Sequence, residues 1–99
     1  MRREFPLPDA TIEAFCARHR IRRLSLFGSV LTDRFGPESD VDLLVEFEPD
    51  ARVSLFRIAA IELELGALLG RKVDLRTPQD LSRFFRDEVS RTAAVVYAA

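Results

Sequence analysis

The chain has 99 residues, 47% of them hydrophobic and 31% charged, which suffices for one packed domain (residues 1–99), excludes two cores and fits disorder, collagen and coiled coil poorly. Fifteen basic residues against 16 acidic ones leave a net charge of -1, which argues neither for nor against nucleic acid; no direct nucleic-acid partner is expected. One cysteine, Cys16, and one histidine, His19, exclude an internal disulfide and the usual His/Cys zinc clusters. No apolar run is long enough to span a membrane, and no apolar stretch of a signal peptide follows Met1-Arg2-Arg3, so a cytoplasmic protein is expected.

Pro8-Asp9 offers an N-cap at Asp9, and Ile12, Phe15, Cys16 and His19 recur at helical spacing, which predicts a first helix ending near Arg20. Leu24 to Phe27 reads as a short strand stopped by Gly28-Ser29. A helical turn is expected next, and then a second strand over Val41 to Phe47, closed by Pro49. Between Val53 and Leu69 the line Phe56, Ala60, Leu63, Ala67, with Ile61, Leu65 and Leu68 beside it, predicts a buried helix that Gly70 stops. Lys72 to Leu75 is a third strand. Thr77-Pro78-Gln79-Asp80 then reads as cap, first-turn proline and acidic third residue of a last helix, its apolar positions running from Leu81 to Val96 with a break near Arg86 to Glu88. This alternation predicts an α/β sandwich, with helices against a small mixed sheet.

The charges are unevenly spread. From Glu38 to Asp50 there are six carboxylates and no basic residue, whereas Arg18, Arg20, Arg22 and Arg23 crowd a short stretch upstream. The arginines alternate with apolar residues, as at a solvated helix end. Asp40 and Asp42 stand at i and i+2 of a strand, so both side chains point to one side while Val41, Leu43 and Val45 point to the other. Two acids at that spacing on an apolar strand repel each other unless a divalent cation lies between them, and Mg²⁺ suits an all-oxygen site of this kind. Asp74 repeats the anomaly in the frame Val73-Asp74-Leu75. Three acids on two adjacent strands would bind cations that clamp a triphosphate, with a carboxylate helping to deprotonate an attacking hydroxyl. For Asp74 alone, the simpler alternative is an ion pair with Arg71 or Lys72. At Gly28-Ser29 a phosphate can approach the backbone closely and be held by N–H groups and a hydroxyl, although such a dipeptide is also an ordinary turn.

The full pattern is Gly28-Ser29, ten residues, then Asp40-x-Asp42, with Ser39 before the first acid, Leu43-Leu44-Val45-Glu46-Phe47 after the second, and Val73-Asp74-Leu75 later. It resembles the nucleotidyltransferase superfamily of DNA polymerase beta and the aminoglycoside nucleotidyltransferases, and more closely the minimal nucleotidyltransferases that occur beside helical HEPN-domain proteins as antitoxin and toxin. The resemblance runs from Leu24 to the C-terminal helix. It implies that Gly28 and Ser29, with Ser39, hold the nucleotide phosphates, that Asp40 and Asp42 bind Mg²⁺, and that Asp74 is the third catalytic and metal-binding carboxylate. It also implies transfer of a nucleoside monophosphate, AMP from ATP, to a tyrosine of a HEPN-type toxin. Many relatives carry Arg, often followed by Gly, soon after Gly-Ser; Thr32 and Asp33 stand there instead, leaving Arg34, two residues on, as a possible triphosphate contact.

Two other classes compete with this expectation. A contact-only antitoxin would not need three acids in apolar strands, and a small-molecule transferase of the aminoglycoside type would need a second domain to hold its acceptor. Cys16 and His19, at i and i+3 on an apolar stripe, read as buried structural residues, and Phe84, Phe85 and Tyr97 as core or interface rather than base-stacking groups. The run Ala93 to Ala99, taken as helix, is apolar on every side and is expected to leave Val95, Val96 or Tyr97 for another chain, either a homodimer partner or the toxin.

Overall fold

In the computed structural model, residues 8–28 and 40–99 are described. The expected contacts of Ser29, Arg34 and Ser39, the Thr32-Asp33 departure and the helical turn after Gly28 lie outside those residues. The elements run α1 (Asp9–Arg18), β1 (Ile21–Phe27), β2 (Val41–Phe47), α2 (Leu55–Leu69), β3 (Val73–Arg76), a 3-10 turn (Pro78–Asp80), α3 (Arg83–Thr92) and β4 (Ala94–Ala98). The strands form one sheet in the order β3-β2-β1-β4; β1 is antiparallel to β2 and β4, and β2 is parallel to β3. Parallel neighbours need a crossover, and α2 provides it.

Strand alternation sorts the core into two faces. Leu24 and Leu26 of β1, Val41, Leu43 and Val45 of β2 and Val73 and Leu75 of β3 pack with Ile12, Phe15 and Cys16 of α1 and Ile61 and Leu65 of α2. Each such side chain, fully buried, contributes about 2 kcal/mol. On the other face, Phe27 and Leu44 meet Leu81 and Val89, with Ala93 packed against them. Among the described residues, the side to which Asp42 and Asp74 point is therefore covered by the 3-10 turn and α3.

Several expectations need correction. The C-terminal run is not helical beyond Thr92: Ala93 turns extended, at φ -64 and ψ 142, and Ala94–Ala98 joins β1 as an edge strand. Val95-Val96-Tyr97 is β-branched and aromatic, and a place beside β1 satisfies its backbone, with Ala99 N donating to Arg22 O at 2.9 Å. Val96 and Tyr97 pack against the main core, leaving Val95 exposed. Thr77 and Asp80 do form a capping box, but it closes only a single turn. Leu81 is extended, and Ser82 caps α3 by accepting from Phe85 N at 3.3 Å. No break occurs at Arg86; its guanidinium instead ties α3 to the turn through Pro78 O at 2.9 Å and Leu81 O at 3.3 Å. The first helix is preceded by Pro8 rather than capped by Asp9, and it ends at Arg18. Finally, α2 is buried along Ile61 and Leu65, whereas the line expected inside, from Phe56 through Leu63, faces outward.

The seam between α1 and α2 holds His19, whose Nε2 donates to Glu64 Oε1 at 3.1 Å; Arg18 pairs with the same carboxylate. Its Nδ1 is buried with no hydrogen-bond partner among the described residues. Burial first, then the positive charges of Arg18 and Arg57, hold the imidazole below its ordinary pKa of 6.5. The unfolded chain therefore takes up a proton at His19 at higher pH than the folded one. Stability is whole above about pH 6.5 and falls as the pH drops from there through the folded value. Urea midpoints measured between pH 7.5 and 5 are expected to decline less steeply for His19→Gln than for the parent; parallel curves would show that His19 does not contribute.

Candidate active site

Because β2 and β3 run parallel in register, Asp42 lies directly opposite Asp74, with Val41 opposite Val73 and Leu43 opposite Leu75. Adjacent strands are about 4.8 Å apart, so the two carboxylates project from neighbouring positions of one face. Like charges placed opposite each other destabilise a sheet unless a cation offsets them. Arg76, two residues beyond Asp74 on the same side of β3, does so in part. Its Nε donates to Asp74 Oδ1 at 3.1 Å and its Nη2 to Oδ2 at 3.3 Å. The bond to Asp74, then the charges of Asp74, Asp80 and Asp42, push the Arg76 pKa up, so the guanidinium stays charged.

These groups line an open cleft of about 380 Å³, together with Phe27, Asp80, Leu81, Ser82 and Phe85. Phe27 and Phe85 form one wall, their rings edge to face at 6.2 Å between centroids. Gly28 follows Phe27, whose register partner is Asp42, and its φ of +76 lies in the left-handed region that favours glycine. A Cβ added there would collide with the Asp42 carboxylate. Backbone and carboxylate thus lie in close contact, and any side chain at position 28 would require the Asp42 carboxylate to move.

Of the residues singled out from sequence, Asp42 and Asp74 share the cleft and Gly28 abuts it. Asp40 is half-buried and does not line the cleft, because it precedes the first residue of β2, where Val41 N donates to Lys72 O at 2.9 Å. Among the described residues no three His, Cys, Asp or Glu side chains are gathered tightly enough to form a metal site as they stand. The donors are nevertheless all carboxylate oxygens, with Asp42 and Asp74 adjacent, and this chemistry fits Mg²⁺. The ion pair foreseen for Asp74 with Arg71 or Lys72 is instead made by Arg76. Arg76 was missed as a cleft residue; its signal was the same i, i+2 alternation that joined Asp40 to Asp42. Cys16 is wholly buried, and burial pushes its thiol pKa up to about 12, which leaves no nucleophile there.

Over residues 9–96 the chain matches the nucleotidyltransferase domain family. The chain belongs to this family. Protein adenylyltransferase MntA of Thermococcus cleftensis is 35% identical over 79 residues, which are 80% of this chain and 78% of that protein. A solved structure described as a candidate minimal nucleotidyltransferase is 36% identical and superposes with a TM-score of 0.71, covering 86% of this chain and 85% of the other. This places the nucleotidyltransferase among the minimal members of its family. Two toxin–antitoxin structures share the fold. One, with AMP-PNP, has a TM-score of 0.74 at 18% identity, covering 94% of this chain and 75% of that one. The other, a tri-AMPylated Shewanella oneidensis HEPN toxin in complex with MNT antitoxin, has a TM-score of 0.65 at 17% identity, covering 92% of this chain and 70% of that one. No helix among the described residues of this nucleotidyltransferase is long and apolar enough to cross a membrane.

Proposed function

We propose that this minimal nucleotidyltransferase transfers AMP from ATP to a tyrosine hydroxyl of a helical HEPN-type toxin and so acts as its antitoxin. The observation that carries this is the in-register pairing of Asp42 with Asp74 in one cleft, with Gly28 pressed against the Asp42 carboxylate. Support for the partner comes from the adenylyltransferase name of the Thermococcus relative and from the AMPylated toxin in the Shewanella complex.

In this reading the backbone of Gly28 and the side chains of Ser29, Ser39 and Arg34 hold the triphosphate. The tyrosine oxygen attacks the α-phosphorus, the bond to the bridging oxygen of the β-phosphate breaks, and pyrophosphate leaves. The phenolic proton passes to a carboxylate, a role that suits Asp74 once Arg76 shifts its hydrogen bonds from that carboxylate to phosphate oxygens. Asp40, Asp42 and Asp74 would hold Mg²⁺, and the bound cation would offset the charge of the triphosphate and of the carboxylates themselves. Among the described residues nothing encloses the cleft, so in this reading the acceptor comes on a partner surface.

The test is to incubate the chain with α-labelled ATP, Mg²⁺ and the protein encoded beside it. Label on a partner tyrosine, lost when EDTA is added, is expected. Partner inhibition without label would instead establish an antitoxin that acts by contact.

A further inference from the structure

The exposed face of α2 is apolar in a way that no part of the cleft explains. Leu55 is 82% exposed, Phe56 89% and Leu63 75%, and Ala59, Ala60 and Ala67 are exposed beside them. All three charged residues of the helix lie elsewhere: Glu62 Oε2 accepts from Leu75 N at 2.8 Å, Glu64 is at the α1 seam, and Arg57 flanks that seam. The outward line Phe56, Ala60, Leu63, Ala67 has spacings of four, three and four, which is the a/d seam of a helix pair.

We propose that this face is a self-association surface on which a second copy of the chain docks antiparallel, about a two-fold axis crossing α2 between Ile61 and Glu62. The choice of occupant rests on two complementarities. Large and small residues alternate along the seam, so antiparallel pairing sets Phe56 of one copy against Ala67 of the other, and Ala60 against Leu63, with each layer holding one large and one small side chain. Parallel pairing would stack Phe56 on Phe56 and leave alanine layers empty. The second complementarity is charge. Arg57 and Glu64 flank the seam on one side and are symmetric about nearly the same midpoint, so antiparallel copies bring each Arg57 towards the other Glu64. Parallel copies would set Arg57 and Glu64 against the partner's opposite flank, Ala59 and Gly66, and pair no charges. On the opposite flank Ala59 and Gly66 allow close approach. A 15-residue helix is about 22 Å long, so the interface is small and its dimer concentration-dependent.

Sedimentation equilibrium of the full chain at about 100 µM is expected to give the mass of two chains. Leu63→Glu should weaken dimerisation by about 100-fold and leave the circular dichroism spectrum unchanged, because Leu63 takes no part in the monomer's core. Orientation is read by oxidising an equimolar mixture of Ala60→Cys and Leu63→Cys chains. The mixed cross-link should exceed either self-cross-link, with native Cys16 silent through burial. A monomer at that concentration, a dimer indifferent to Leu63→Glu, or dominant like-with-like cross-links would each overturn the proposal. So would a monomer whose Leu63→Glu variant loses binding to the helical partner, which would assign the face to that partner.

Discussion

Asp42→Asn is expected to lower nucleotidyl transfer by about 10³-fold or more while leaving the fold in place. The carboxylate sits beside the Gly28 backbone and opposite Asp74 in the cleft, and in the proposed reaction its charge would hold a cation against the triphosphate. Asparagine keeps the shape and the strand register but donates protons where a cation needs lone pairs. Stability should change little, with a melting temperature within about 4 °C of the parent, because losing one of two opposed negative charges relieves repulsion across β2 and β3. Asp40→Asn separates the ligand role from the cleft wall: it should reduce transfer as strongly only if Asp40 binds the cation with Asp42. Label transfer and thermal melts on the same samples check both variants. An Asp42→Asn chain that transfers at the parent rate, or that unfolds, would remove the metal-site assignment.

The site was legible in sequence to the extent that alternation governs it. Asp40 and Asp42 within an apolar run, and Asp74 within a second, fix the face of each side chain whatever the tertiary details. What alternation cannot give is register between strands, and register decides that Asp42 meets Asp74 while Asp40 stays short of the cleft. β2 was legible in its bounds, since Pro49 follows a run of aliphatic residues, and so was the end of α2 at Gly70, whose φ of 66 is the left-handed cap expected of it. β4 was not, because the apolar residues up to Val96 fit a helical stripe and only their β-branching argued otherwise. The sidedness of α2 was also hidden. When nearly every uncharged position of a helix is apolar, periodicity cannot say which stripe the sheet will cover; the sheet took Ile61 and Leu65, leaving Phe56 and Leu63 outside. That ambiguity is itself informative, since a helix that needs only one buried face has reason to keep two only if the second is also used.

Gly28→Ala should reproduce much of the Asp42→Asn defect from the opposite side of the same contact. Two separate costs are involved. Alanine at a φ of +76 is strained by about 1 kcal/mol, and its methyl group would overlap the Asp42 carboxylate, so either the turn after β1 opens or Asp42 swings away. A total loss of about 2 kcal/mol is expected, with a fall in transfer of about 10²-fold because, in the proposed reaction, the displaced carboxylate would no longer lie beside the backbone that holds the phosphates. A double-mutant cycle separates the two. In an Asp42→Ala background there is no carboxylate to collide with, so adding Gly28→Ala should cost only the conformational part, about 1 kcal/mol, and the difference between the two measurements is the contact. Urea denaturation of the four chains gives these values directly. Equal costs in both backgrounds would mean that Gly28 matters for its backbone conformation alone and that the close approach to Asp42 does not shape the site.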